Sequence, residues 1–423
     1  MFSLIANYYT TFGLEWDTDG FGRIAQNLIQ GHGYVFEKGG ATVFIRPPIY
    51  PLLLSLVYFL SGGVYQTVIL LVHSILGALT CIMVYLVGKE VYNRKIGFYC
   101  GIVTCLHPLL VWYTGRIFVG TLLTLLLAIM TFCLVKNFKR LHLKYALTVG
   151  LLLGVLNLTK GVLLFFPLFI LAGFLVISTW RRFFSENLVL TPSRIFKNLF
   201  VICLTMVVVT SPWTLRNYLE SKKFIPVSVG GGYNFLVGDF FVKYYEEVGE
   251  DNKLLIGKAY DEMKVILSQK GFEHPPFFNL SPDQDDYLNR VALEKILKRP
   301  SDLVVKVRKQ FLRFWCLGAS EKKTAGLLIL QFPFLVLALV GIFFSLKMKK
   351  NFLAPFLVIA YFVLLHSAIF AVARFSVPVV PYVIIFAVFG VQQIHERYFS
   401  RLFSYSKQKQ QQHFIRDKEG ILP

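Results

Sequence analysis

Apolar residues lie along this chain in long unbroken runs. Nine of them, at 64–88, 96–113, 117–135, 145–158, 161–179, 198–214, 324–346, 352–372 and 375–394, approach or reach the length of a membrane crossing. A hydrocarbon core of about 30 Å needs roughly 20 residues of α-helix. Short basic clusters separate the runs. Threading nine helices alternately through a bilayer places Lys89, Arg94 and Lys95, the clusters at 136–144, 180–197 and 347–350, and the tail after His395 on one side. One miscounted helix would scatter those clusters over both faces, whereas the positive-inside rule gathers them on the cytoplasmic one. The pattern predicts an all-α polytopic membrane protein.

Two regions fall on the outer side. Region 1–63 holds a shorter apolar stretch at 48–60, opened by Pro47-Pro48 and closed by Ser61-Gly62-Gly63. About 13 residues are too few to span, so an amphipathic helix on the outer interface is expected. Region 215–323 holds 15 acids against 18 Lys/Arg. That near balance predicts a water-exposed domain of mixed helix and loop, too long for a connector. The expected order is a first external loop at 1–63, six transmembrane helices at 64–214, an external soluble domain at 215–323, three transmembrane helices at 324–395 and a basic cytoplasmic tail at 396–423. Nine crossings ending inside put residue 63 outside, so either the start of the chain is external or an initial helix is shortened or missing. The second is favoured, because an initial helix normally delivers such a segment across the membrane.

Composition agrees with the pattern. Of 423 residues 55% are hydrophobic and 16% charged, with a mean hydropathy of +0.59, which excludes an ordinary soluble enzyme. The formal charge of +20 would suit nucleic acid, but the inner-side clusters alone hold 20 Lys/Arg and five acids. Anionic headgroups of membrane lipids account for that charge, and no nucleic-acid partner is expected. The six cysteines form no Cys-x-x-Cys pair, which argues against a zinc site or a disulfide framework. His73, His107 and His366 lack metal-ligand spacing and read as packed or interfacial residues.

Candidate chemistry is confined to the outer face near the membrane. Arg46, Arg116, Lys160, Arg216 and Arg374 come from five separate segments at one expected membrane depth. Gathered, they would make a pocket for a lipid phosphate or pyrophosphate; scattered, they would snorkel to headgroups independently. Asp17 and Asp19 precede an amphipathic segment at 20–29. A carboxylate there caps a helix, or acts as a general base on an acceptor beside a phosphate pocket.

Several strings sharpen the choice. Asp17-Thr-Asp-Gly-Phe-Gly-Arg-Ile-Ala-Gln-Asn-Leu-Ile-Gln-Gly-His-Gly-Tyr34, followed by Thr42-Val-Phe-Ile-Arg-Pro-Pro-Ile-Tyr-Pro51, resembles the first external loop of the glycosyltransferase family 39 and aminoarabinose-transferase-like proteins, within the GT-C superfamily. Leu158-Thr-Lys160, Pro212-Trp-Thr-Leu-Arg-Asn217, Gly230-Gly-Gly-Tyr-Asn234 with Gly238, and Ala373-Arg-Phe-Ser-Val-Pro378 extend the resemblance in the expected order. Gly120 stands where relatives often carry Glu, and Ser376 replaces a second Arg. The resemblance implies a membrane glycosyltransferase that takes a sugar from a polyprenyl-phosphate carrier and gives it to a lipid, glycan or protein acceptor. It further implies an inverting reaction in a bacterial inner membrane with the site facing outward. Asp17 matches the family's catalytic acid, with Asp19 a poorer match. Arg46 matches the carrier-phosphate contact, and Lys160, Arg216 and Arg374 are expected to assist it. No definite cofactor is implied; a divalent metal is admissible, although Gly120 in place of Glu weakens a metal site. A transporter or flippase of lipid-linked sugars, or a non-catalytic relative, is the alternative; the absence of an internal sequence repeat disfavours a transporter.

Overall fold

The computed structural model describes residues 19–179, 191–249, 252–273, 279–318 and 320–397. Asp17, the segment 180–190, His274 and the tail beyond 397 lie outside the described residues. The described chain is helical, and its one β-bridge pairs Val35 with Thr42. In chain order the helices are α1 (Phe21–Ile29), α2 (Ile49–Ser61), α3 (Gln66–Val91), α4 (Arg94–Leu106), α5 (Pro108–Thr114), α6 (Val119–Arg140), α7 (Leu143–Thr159), α8 (Phe166–Thr179), α9 (Pro192–Ser221), α10 (Gly231–Val248), α11 (Asn252–Ser268), α12 (Pro282–Lys298), α13 (Pro300–Trp315), α14 (Glu321–Lys347) and α15 (Leu353–Ala368). Two 3-10 turns, Ala373–Phe375 and Val377–Val379, lead into α16 at 380–397.

All nine apolar runs form helix. Five helical segments (α3, α6, α9, α14 and the stretch Ala373–Arg397) are long and apolar enough to cross a membrane, and α4 with α5 makes a sixth if that pair, bent by 55°, is one span. Among the described residues the helices α7, α8 and α15 have 17, 14 and 16 residues, short of the roughly 20 of a straight crossing. The chain is an integral membrane protein with at most six full-length spans among the described residues. The interfacial stretch expected at 48–60 folds as the 13-residue α2.

Burial ranks the helices. In α6 and Ala373–Arg397, 72% and 78% of the apolar window is covered by protein, against 22–28% in α3, α9 and α14. The first two are therefore central, and the others turn most of their apolar surface outward. Leu127, Leu134 and Phe138 of α6 pack in one core with Leu153, Phe174, Phe362 and Phe386. At one end of the bundle Lys139 pairs with Glu90 at 3.1 Å, the Tyr92 and Ser345 hydroxyls meet at 2.6 Å, and the Asn137 and Asn198 amides exchange two hydrogen bonds of 2.8 and 3.0 Å. These contacts draw basic helix ends together.

The helices α10 to α13 form the charged part of the molecule. A capping box in which Ser281 and Gln284 bond each other's backbone starts α12, the expected chemistry of a helix entry in water. A second core joins this unit to the beginning of the chain: Ile24, Phe44 and Ile45 share it with Tyr233, Phe241 and Leu288. The two polar regions are thus one packed body.

Candidate functional site

Asp19 stands directly before α1. The N-cap of that helix is Gly20, with φ of 75° and no side-chain cap hydrogen bond. A side chain at Gly20 would be strained in this left-handed conformation and would meet the Phe36 ring. Asp19 therefore does not cap α1. Its carboxylate instead meets the Arg374 guanidinium, with Nη2 to Oδ1 at 3.4 Å, and lies 4.0 Å from Arg46 Nη2. Arg46 Nε donates to the Asp19 carbonyl at 2.8 Å, so the arginine grips both backbone and side chain.

Lys160 completes the cluster. Its ammonium lies 4.2 Å from the centre of the Phe375 ring and interacts electrostatically with Asp19, Arg374 and Arg46. Burial and the two like charges lower the Lys160 pKa to about 8, with Asp19 opposing them. Burial pushes the Asp19 carboxyl up, but Arg374, Arg46 and Lys160 together hold it below the ordinary carboxylate range. Among the described residues four charged groups from four elements thus meet, three positive and one negative. Asp19 and Arg46 keep 23% and 24% of their side-chain surface exposed, and Arg374 keeps 34%, so the cluster is open to a ligand.

Each cation is held by its surroundings. The turn after Lys160 is fixed by Asn157, whose Oδ1 accepts from Leu163 N at 3.1 Å, and by Tyr361, whose hydroxyl donates to Val162 O at 2.6 Å. Tyr34 donates to the carbonyls of Arg46 and Pro47, both at 3.0 Å. Arg374 sits in the 3-10 turn Ala373–Phe375.

Arg216 is placed elsewhere. Its guanidinium faces the rings of Trp213, Tyr34 and Phe44 at 4.6, 5.1 and 5.4 Å, and its Nη1 donates to Val43 O at 3.2 Å. The rest of its motif has the same task. Trp213 Nε1 donates to Val227 O at 2.9 Å, Thr214 to Pro226 O at 2.7 Å, and Asn217 to the carbonyls of Ile225 and Val227. The 212–217 string is a clasp joining the first loop to the entry of α10. Arg116 lies over Trp112 at 4.7 Å; its carbonyl faces His73 Nδ1 at 2.7 Å, and His73 Nε2 faces the Tyr50 hydroxyl at 3.1 Å. His73 is a structural bridge. Among the described residues no three His, Cys, Asp or Glu side chains gather to hold a metal ion.

Sequence reasoning missed Phe375, Tyr34, Asn157 and Tyr361 as supports of the cluster. Tyr34 and Phe375 lie inside strings that had drawn attention for neighbouring residues; Asn157 and Tyr361 give no signal beyond a polar atom in an apolar run.

Parts of the sequence and the fold are shared with known proteins. Residues 45–213 match the family model described as dolichyl-phosphate-mannose-protein mannosyltransferase. The apo crystal structure of the oligosaccharyltransferase of Archaeoglobus fulgidus superposes with a TM-score of 0.57 over 96% of this chain, at 14% identity. The chain shares the fold of that oligosaccharyltransferase. A second structure of an Archaeoglobus fulgidus oligosaccharyltransferase, AglB in complex with an inhibitory peptide and a dolichol-phosphate, aligns over 92% of the chain with a TM-score of 0.54 and 14% identity. The chain spans about half the length of these proteins, 51% and 48%. ArnT from Cupriavidus metallidurans bound to undecaprenyl phosphate aligns over 89% of this chain and 73% of its own at 14% identity, with a TM-score of 0.40, too low to carry an argument. No curated protein matches the chain in sequence. The matched segment 45–213 includes Arg46, Lys160 and Trp213 but neither Asp19 nor Arg374, so the family match and the cluster overlap in part.

Proposed function

We propose that this protein transfers a sugar from a polyprenyl-phosphate carrier to a lipid, glycan or protein acceptor on the outer face of a bacterial inner membrane. The observation that carries the proposal is the convergence of Arg46, Lys160 and Arg374 on the carboxylate of Asp19. A polyprenyl-phosphate sugar is a phosphodiester with one negative charge. Breaking its anomeric C–O bond leaves the oxygen and the bonding pair on the phosphate, which becomes a monoester with two. A cluster whose cations outnumber its acids complements the departing group better than the bound donor, the condition for lowering a barrier.

The acceptor hydroxyl or amine attacks the anomeric carbon opposite the phosphate, with inversion, and its proton passes to Asp17, the acid assigned by its position in the sequence. Before the donor binds, Asp19 pairs with the cations that the phosphate will take; donor binding then leaves its carboxylate without them. In this scheme Arg46, Lys160 and Arg374 hold the phosphate and Arg216 ties the loop. The basic helix ends face the cytoplasm, and the α10–α13 unit covers the site from outside.

Purified enzyme with carrier-linked sugar tests the scheme. Asp17→Asn should keep donor affinity and lose turnover by ~10²-fold or more, the scale of a positioned general base. A full-rate Asp17→Asn enzyme would remove the base. In a background without the native cysteines, an impermeant thiol reagent on intact cells should label Ser281→Cys and spare a cysteine in the tail. The opposite pattern would invert the topology and the site with it.

A further inference from the structure

The loop that carries Arg374 is held from one side by a residue of the polar unit. Gln310 of α13 is fully buried, and both ends of its amide are bonded to backbone. Its Nε2 donates to the Gly238 carbonyl at 2.9 Å, and its Oε1 accepts from Ala371 N at 2.9 Å. Gly238 belongs to α10, and Ala371 lies three residues before Arg374. The approach is close: a Cβ at Gly238 would run into the Ile369 carbonyl. One turn earlier on α13, Lys306, 2% exposed, pairs with Asp239 at 2.9 Å and donates to Phe235 O at 2.7 Å. This fixes α13 against α10 at the level of Gln310.

We propose that Gln310 is a positioning residue for Arg374, making the grip on the carrier phosphate depend on the docking of the polar unit. The proposal rests on the donor reading above. An arginine on a loop fits a phosphate only as well as its backbone is placed, and a supporting shell that is loose by about 1 Å is enough to spoil a site. Removing the Gln310 amide leaves the buried Ala371 N–H without its partner and takes from the Gly238 carbonyl, already bonded within α10, its link across to α13, which loosens the loop from the helix pair. Phe370 reinforces the seat, its ring meeting Phe241 of α10 edge-on at 5.0 Å.

A double-mutant cycle on the full chain in nanodiscs, with undecaprenyl phosphate as the probe, separates positioning from bulk stability. Gln310→Met keeps length and apolar volume and loses both bonds. It should weaken probe binding about 5- to 10-fold beside Arg374 but less than about 2-fold in an Arg374→Ala background, since a lost contact cannot be lost twice. Hydrogen exchange over 369–375, measured without lipid, should accelerate in Gln310→Met. Equal losses in the two backgrounds, or an unchanged affinity in folded Gln310→Met, overturn the proposal. If Gln310→Met does not fold, Gly238→Ala pushes the same loop from α10 and should give the same Arg374-dependent loss; a loss independent of Arg374 refutes it. A wild-type protein that does not bind the probe overturns the donor reading, and the exchange rates at 369–375 then still decide whether Gln310 holds the loop.

Discussion

Arg374 and Arg216 make an instructive pair. Each is half-buried, lies in a recognisable string and is an outer-side cation in the sequence pattern. Arg216 is enclosed by three aromatic faces and a backbone carbonyl, so its donors and its charge already serve the joint between loop and helix. Arg374 points at a carboxylate that Arg46 and Lys160 share. An incoming anion can take the place of a carboxylate, but it cannot take the place of three rings and a strand of loop. What separates a binding arginine from a structural one is whether its partner is exchangeable.

The largest effect expected from breaking this contrast is at Arg374. Arg374→Ala removes one of the charges that meets the leaving phosphate and should lower turnover by ~10²- to 10³-fold, the range for losing a group aimed at developing charge. Arg374→Lys should recover part of it, keeping the point charge and losing the planar fork. Arg46→Ala should behave alike, with an added loss of loop order because Arg46 also holds the Asp19 carbonyl. Steady-state rates with carrier-linked sugar decide this; an effect below about 5-fold at Arg374 would dissolve the contrast with Arg216.

Asp19→Asn comes next and carries an unusual sign. Removing the resident anion raises the positive surplus of the cluster by one charge, so the polyprenyl phosphate should bind more tightly, by about 3- to 10-fold, while turnover falls as the product is retained. A general base or a helix cap at this position would leave carrier affinity unchanged or weaker. Titration of undecaprenyl phosphate onto both proteins separates the cases.

The pH dependence follows from Lys160. Below its pKa of about 8 the ammonium is present and contributes to phosphate binding; above it the amine is neutral and the contribution is lost. Carrier affinity should therefore fall as pH rises through 8, by about 3- to 10-fold. Folding linkage has the opposite sign: between pH 8 and 10.5 the unfolded chain holds a proton that the native Lys160 has released, so this residue adds stability as pH rises. Lys160→Arg should flatten the affinity curve, because a guanidinium stays charged throughout. A curve of unchanged shape in Lys160→Arg would assign the titration to another group.

Much of this was legible in the sequence, for a physical reason. Runs of apolar residues declare helices directly, and each run contains helix, although among the described residues five or six segments rather than nine have the length of a crossing; the ends of α2 are marked by Pro48 and Gly62. The short lengths of α7, α8 and α15 were harder to read, because runs such as 161–179 continue through turns whose residues are as apolar as the helices they join. Within the site, the cations were visible as charges near expected helix ends, but which of them converge depends on helix rotation and loop path. Composition does not encode those. Asp19 was ranked below Asp17 because its match to the family string is poorer, yet it is the described acid that meets the cations. Gln310 was invisible, being a neutral residue in a basic amphipathic helix.

The smallest expected effect on carrier binding is at Arg216, and it sharpens the comparison most. Arg216→Met keeps part of the apolar stem and removes the guanidinium from its ring box. The cost falls on folding: three cation–π contacts and the bonds to Val43 O and Asn217 Oδ1 are lost, about 1–3 kcal/mol for a partly desolvated group. Carrier affinity, measured where the variant is still folded, should change by less than about 2-fold, because Arg216 stands beyond Tyr34 from the cluster. Tyr34 links the two sites, its ring facing Arg216 and its hydroxyl bonded to the carbonyls of Arg46 and Pro47. Tyr34→Phe should therefore keep the box and loosen Arg46, lowering affinity with little change in stability, the inverse of Arg216→Met. If both variants lost affinity and stability in the same proportion, the box and the cluster would be one mechanical unit, and the distinction between exchangeable and fixed partners would fail for this protein.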